Sequence, residues 1–66
     1  MKDYQTRVIQ EAAELSDKLS KLNDFIQTNP QFELLPTDEH NLLIEQAYVM
    51  ALYEAVLNDR INLFNK

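Results

Sequence analysis

The chain has no glycine and no cysteine, and only two prolines in 66 residues. Without glycine, the usual phosphate-cradling loops, in which bare backbone approaches a nucleotide closely, cannot form. Without cysteine there is no disulfide scaffold, no thiolate metal ligand and no thiol nucleophile. His40 is the only histidine, so a zinc site would lack its second imidazole. No Glu-x-x-His stretch is present to build a carboxylate metal centre inside a helix bundle. Ser16 and Ser20 lie on a helical stretch with no histidine nearby, which leaves nucleophilic catalysis without a general base. These absences predict no metal, no cofactor and no enzymatic activity.

Positive charge is also scarce. Six basic residues stand against eleven acidic ones, a formal net charge of −5. Binding a nucleic acid polymer needs clustered Lys and Arg to displace counterions, and adhesion to an anionic membrane surface needs the same. Neither is expected. The acids are scattered from Asp3 to Asp59 rather than set in regular rows, which argues against mimicry of DNA. Long apolar runs are missing too. The longest, Ala47 to Tyr53, is far too short to cross a bilayer and is followed by Glu54. Met1-Lys2-Asp3-Tyr4 leads into a charged amphipathic stretch, so no secretory signal is expected and the protein is expected inside a cell.

What is present is helical periodicity. A chain this short hides only about 60% of its unfolded surface, so its stability must come from long packed helices or from partner subunits. From Asp3 to about Thr28, the residues Gln5, Val8, Ala12, Leu15, Leu19, Leu22 and Ile26 recur at spacings of three and four. That pattern is one apolar stripe on a helix about 39 Å long. Asp3–Arg7, Glu14–Lys18 and Asp17–Lys21 are i,i+4 pairs with the acid first, the favourable order. Asn29-Pro30 ends this helix, because proline disfavours helical backbone before it and donates no amide hydrogen. The same pair suits the start of a short helical turn over Pro30 to Leu34, with Phe32 and Leu35 tucked under the hairpin end. The connector thus spans 29–37. Thr37 is the expected N-cap of a second long helix over about 38–64, with Asp38 and Glu39 in its first turn, where the helix dipole favours acids.

This second helix is apolar on three sides. Leu43, Ala47, Met50, Leu57, Ile61 and Phe64 form one stripe. Leu42, Val49, Leu52, Val56 and Leu63 form another, and Ile44, Tyr48, Ala51 and Ala55 a third. A helix apolar nearly all round must be buried nearly all round, yet its hairpin partner can cover one side only. The sequence therefore predicts a single all-α domain over 1–66, an antiparallel helical hairpin that assembles into a homo-oligomeric bundle. Leu42, Val49, Leu52, Val56 and Leu63 are the expected oligomer interface. A dimer forming a four-helix bundle is the simplest closed arrangement, and a higher ring or a pair of dimers also satisfies the pattern. A host protein covering the same surface is the alternative.

Two constellations could carry chemistry. Glu11 and Glu14 faintly resemble the acidic helix of all-α nucleotide pyrophosphohydrolases, but Glu45, Glu54 and Asp59 stand at the wrong intervals to supply the second magnesium-binding stretch. They are read as part of a solvated face. His40, on the first turn of the second helix, is read likewise as a solvated residue. The other constellation follows from hairpin register. A turn centred near Phe32 to Leu34 sets Arg7 against Arg60 and Glu11 against Val56, gathering Tyr4, Arg7, Glu11, Tyr53, Glu54 and Arg60 near the open end. Arg60 has Leu57 and Val56 at i−3 and i−4, so its guanidinium lacks an acidic neighbour on that side of its own helix. Either it pairs with Glu11 or with a carboxylate of another subunit and fixes the register, or Arg60, Arg7 and the tyrosines form a ligand pocket at a subunit junction. Arginine forks hold phosphates bidentately and tyrosine faces stack on bases.

Asp3-Tyr4-Gln5-x-Arg7-Val8, Glu11, Glu14-Leu15, Leu22, Phe25-Ile26 and Phe32 in the first half carry a family likeness. So do Leu42-Leu43, Gln46, Met50, Tyr53, Leu57, Arg60-Ile61 and Phe64 in the second. Over nearly its whole length the chain resembles a family of very small helical-hairpin proteins of tailed bacteriophages, crAss-like phages included. The resemblance implies a phage accessory protein acting in the host cytoplasm. A looser analogy is to oligomeric phage sponges that sequester signals made by bacterial defences such as CBASS and Thoeris and hold them between subunits. By that analogy the ligand is a cyclic nucleotide or an ADP-ribose-type molecule, bound by Tyr4, Arg7, Glu11, Tyr53 and Arg60. The alternative function is a protein–protein interaction module or inhibitor that binds a host or phage protein through the assembled surface.

Overall fold

A computed structural model describes residues 2–64; of the 1–66 span, Met1, Asn65 and Lys66 lie outside the described residues. The described chain is two long helices joined by a short one: α1 (Asp3–Thr28), α2 (Pro30–Glu33) and α3 (Thr37–Leu63). α1 and α3 pack against each other along a rod 46 Å long and 15 Å across. Its radius of gyration is 14.9 Å, against about 11 Å for a compact globule of this length.

The packing seam follows from spacing. On α1, Val8, Ala12, Leu15 and Leu19 are buried, and Gln5, Leu22 and Ile26 extend the line half-buried. On α3 the inward line is His40, Leu43, Ala47, Met50, Glu54, Leu57, Ile61 and Phe64. Both lines alternate steps of three and four, the 3.5-residue repeat of a coiled-coil seam. Leu57 is fully buried against Val8, Ala12 and Leu15. Burying such a side chain stabilises the fold by about 1.5–3 kcal/mol.

The connector closes the hairpin with a small aromatic stack. Asn29 ends α1, its N–H donating to the Phe25 carbonyl, and its Oδ1 accepts from the Gln31 N–H at 2.9 Å to cap α2. Pro30 opens α2 at a position where a missing N–H costs nothing. Phe32 is buried edge-on against Phe25, with ring centroids 6.0 Å apart, and stacks on His40 at 4.1 Å.

Several sequence expectations need correction. Pro36, not Thr37, occupies the cap of α3. Pro36 has extended backbone (φ −54°, ψ 149°) and its carbonyl accepts from the His40 N–H at 2.9 Å. Thr37 is thereby drawn into the helix, which begins one residue earlier than expected. His40 is half-buried under Phe32 rather than solvated, because the connector folds back over the first turn of α3. Of the three acid-first pairs, Asp17–Lys21 alone closes among the described residues, at 3.1 Å. Glu14 instead accepts from Gln10 Nε2 at 3.5 Å. Exposed pairs gain too little to hold two long side chains in one geometry.

Candidate functional site

The seam divides the hairpin into two edges. On one, α1 contributes Tyr4 and Glu11 and α3 contributes Gln46, Tyr53 and Arg60, each one position to the same side of the seam residues. Tyr4 packs edge-on against Phe64, with ring centroids 5.8 Å apart and planes at 89°. This contact sets the register within one residue of that expected, so Arg7 is level with Ile61, the neighbour of Arg60. Tyr4 and Tyr53 remain about half exposed, and Glu11, Arg7 and Arg60 are exposed.

Tyr4, Glu11, Tyr53 and Arg60 therefore share an edge, whereas Arg7 sits further round, on the outer face of α1. Among the described residues neither Arg7 nor Arg60 makes an ion pair within the chain, so Arg60 does not close on Glu11. Glu54 does not belong with this group. It occupies a seam position and lines a shallow polar cleft on the opposite edge with Ser16, Ser20, Asn23 and Gln27. The sequence reading missed that cleft. The signal for it was the break at Glu54 in the apolar stripe that runs from Leu43 to Phe64.

Next to the shared edge, further round α3, lies its exposed apolar stripe. Leu42, Val49, Leu52, Val56 and Leu63 are each between 52 and 62% exposed. Tyr53 and Arg60 thus stand between the seam and this stripe. At the connector end the stripe runs into an apolar hollow of about 340 Å³ lined by Phe25, Leu35, Leu42, Leu43, Glu39 and Gln46. At the other end Leu63 projects into solvent. Ile44 and Tyr48 leave the third side of α3 exposed as well.

Among the described residues no group of three His, Cys, Asp or Glu side chains is arranged to hold a metal ion. No helix of the described residues is long and apolar enough to cross a membrane. What the edge offers is two aromatic faces, one carboxylate and one guanidinium with all of its donors free, beside an apolar surface.

No curated protein and no solved structure matches the chain. The family model named Sequestin matches residues 2–63, almost the whole chain. The chain belongs to the Sequestin family.

Proposed function

We propose that this is a non-enzymatic accessory protein of a tailed bacteriophage that self-associates through α3 and sequesters a nucleotide-type immune signal at the subunit junctions. It acts in the host cytoplasm against a bacterial defence. A sequestering role is compatible with the family name. The observation that carries the reading is the adjacency just described: an unpaired guanidinium and two half-exposed tyrosines stand along the border of an uncovered apolar face. Covering that face turns an open edge into a walled pocket. Arg60 then takes phosphate oxygens through its planar fork, and Tyr53 or Tyr4 stacks on a base. Arg7 joins only if the ligand or another subunit reaches the outer face of α1. With five donors on the guanidinium, a cyclic dinucleotide or an ADP-ribose derivative is the fitting ligand class.

Titration calorimetry with a panel of cyclic dinucleotides and ADP-ribose derivatives tests this. The expected result is heat from at least one ligand, lost in Arg60→Ala. Binding that survives Arg60→Ala removes the residue from the site, and silence across the whole panel ends the small-molecule reading. The exposed apolar face favours a second reading, an interaction module for a host or phage protein. That reading calls for a partner whose capture is abolished by Val49→Asp.

A further inference from the structure

Lys18 stands on the edge that carries Tyr53 and Arg60. It comes immediately before the seam residue Leu19, as Tyr4 comes before Gln5 and Glu11 before Ala12. Phe25 is next in that row and lines one hollow with Gln46, so the row faces Gln46, Tyr53 and Arg60 across the edge. The Tyr4–Phe64 contact sets the levels along the rod. Tyr53 is level with Leu15, about 4.5 Å along the rod from Lys18 and about 10.5 Å from Arg60, on the other side.

Lys18 is exposed, and it is free of its own helix. The expected Glu14–Lys18 pair does not close, because Glu14 accepts from Gln10 Nε2 at 3.5 Å. Among the described residues the one ion pair holds Lys21 to Asp17 and leaves Lys18 without a partner.

Two further observations tie this cation to the candidate site. The first is direction. Every side chain leaves a helix tilted toward the helix N-terminus. In an antiparallel hairpin Lys18 therefore tilts toward the open end and Arg60 toward the connector, and the two converge on Tyr53 from opposite sides. The second is the sorting of charge. The corresponding positions of the opposite edge are Ile9, Ser16 and Asn23 on α1 and Ile44, Ala51 and Asn58 on α3, none of them charged. Between Tyr4 and Gln46, the Tyr53 edge sets two cations against the single carboxylate of Glu11. The chain as a whole has a net charge of −5. A local excess of positive charge is what draws an anionic ligand to an otherwise acidic protein.

We propose that Lys18 is the second phosphate-binding residue of this edge, and that the ligand therefore carries at least two phosphate groups. The inference rests on the nucleotide reading above and narrows it. Arg60 fixes one phosphate through its planar fork, whereas Lys18 acts as a compact point charge on a flexible stem. Tyr53 lies between them to stack on a base. A nucleotide with one phosphate engages one of the two cations and forgoes the other.

Titration calorimetry of the full chain with cyclic di-AMP, ADP-ribose and cyclic AMP tests this, with circular dichroism to confirm that each variant is folded. The parent should bind at least one of the two-phosphate compounds more tightly than cyclic AMP. Lys18→Ala should weaken that binding about tenfold, and Lys18→Arg should retain it. Lys21→Ala, which removes the same charge from a lysine already paired, should leave it unchanged. An equal loss in Lys21→Ala reduces the effect to overall charge and overturns the assignment. A parent that binds cyclic AMP as tightly as the two-phosphate compounds overturns the selectivity. Binding that is lost in Arg60→Ala and kept in Lys18→Ala overturns the role of Lys18 alone and leaves the nucleotide reading standing. Silence of the parent toward every dinucleotide and ADP-ribose derivative overturns both.

Discussion

α1 and α3 are almost equal in length, 26 and 27 residues, yet they solve different problems. Four residues of α1 are buried, all on one stripe, and most of its remaining surface is polar. α3 buries only Leu57 outright while leaving eight large apolar side chains exposed, from Leu42 and Ile44 to Leu63. An amphipathic helix is finished by one partner; a helix apolar on three sides is not. The hairpin is thus complete from the side of α1 and incomplete from the side of α3. The edge that carries Tyr53 and Arg60 lies on the boundary between the two conditions.

The covered side of α3 is where a single change does most damage. Leu57→Ala removes the one fully buried side chain among the described residues and should cost about 2–5 kcal/mol. A core this small supplies about 3–5 kcal/mol in all, so the variant should be largely unfolded by circular dichroism at room temperature. The uncovered side should respond differently. Val49→Asp or Val56→Asp touches no intrachain core, so the expected effect is on mass: sedimentation should show the proposed assembly split, with helix lost only to the extent that folding depends on it. The same charge placed on the outer face of α1, as Gln10→Asp, should leave the mass unchanged. A Val49→Asp protein with the parent's mass and melting temperature would erase the distinction between the two helices.

That distinction was legible in the sequence because it depends on periodicity alone. The steps of three and four from Gln5 to Ile26, the break at Asn29-Pro30 and the three stripes of α3 are all visible before any coordinates. What was not legible came from tertiary detail. Capping propensity favoured Thr37, but the fixed φ of Pro36 claimed the cap one residue earlier. His40 looked solvated by its place in the first turn, and only the fold of the connector shows Phe32 lying on it. Of the candidate site, hairpin register gathers Tyr4, Arg7, Glu11, Tyr53, Glu54 and Arg60 only as far as the open end; that Tyr4, Glu11, Tyr53 and Arg60 share one edge while Arg7 lies on the outer face of α1 depends on where the seam runs. Glu54 was misplaced, because a charged residue inside a seam breaks the rule by which the seam was read. Whether Arg60 had a partner within the chain was beyond the sequence, since both Arg60 and Glu11 are long enough to reach or to ignore each other.

The turn that joins the two helices should show a smaller effect than either face. Asn29→Ala removes the side-chain oxygen that accepts from the Gln31 N–H and should cost about 1 kcal/mol. A thermal melt shifted downward by several degrees, with the mass unchanged, is the expected signature. A change in mass would mean that the connector, and not α3 alone, takes part in the proposed assembly.

The smallest effect belongs to the polar face of α1. Its one closed ion pair among the described residues, Asp17–Lys21, lies in open solvent, where salt screens the attraction and side-chain freedom opposes it. Lys21→Ala should therefore leave the melting temperature unchanged within error at physiological salt, and raising the salt should not destabilise the parent. That null result separates two explanations for the charge on α1. If the acid-first pairs were holding the helix together, removing the one that forms would be felt. If their role is to keep one side of the hairpin solvated while α3 is covered, Lys21→Ala is silent and Val49→Asp is not. A measurable loss in Lys21→Ala would show that α1 needs more than its apolar stripe, and that the two helices differ less than their surfaces suggest.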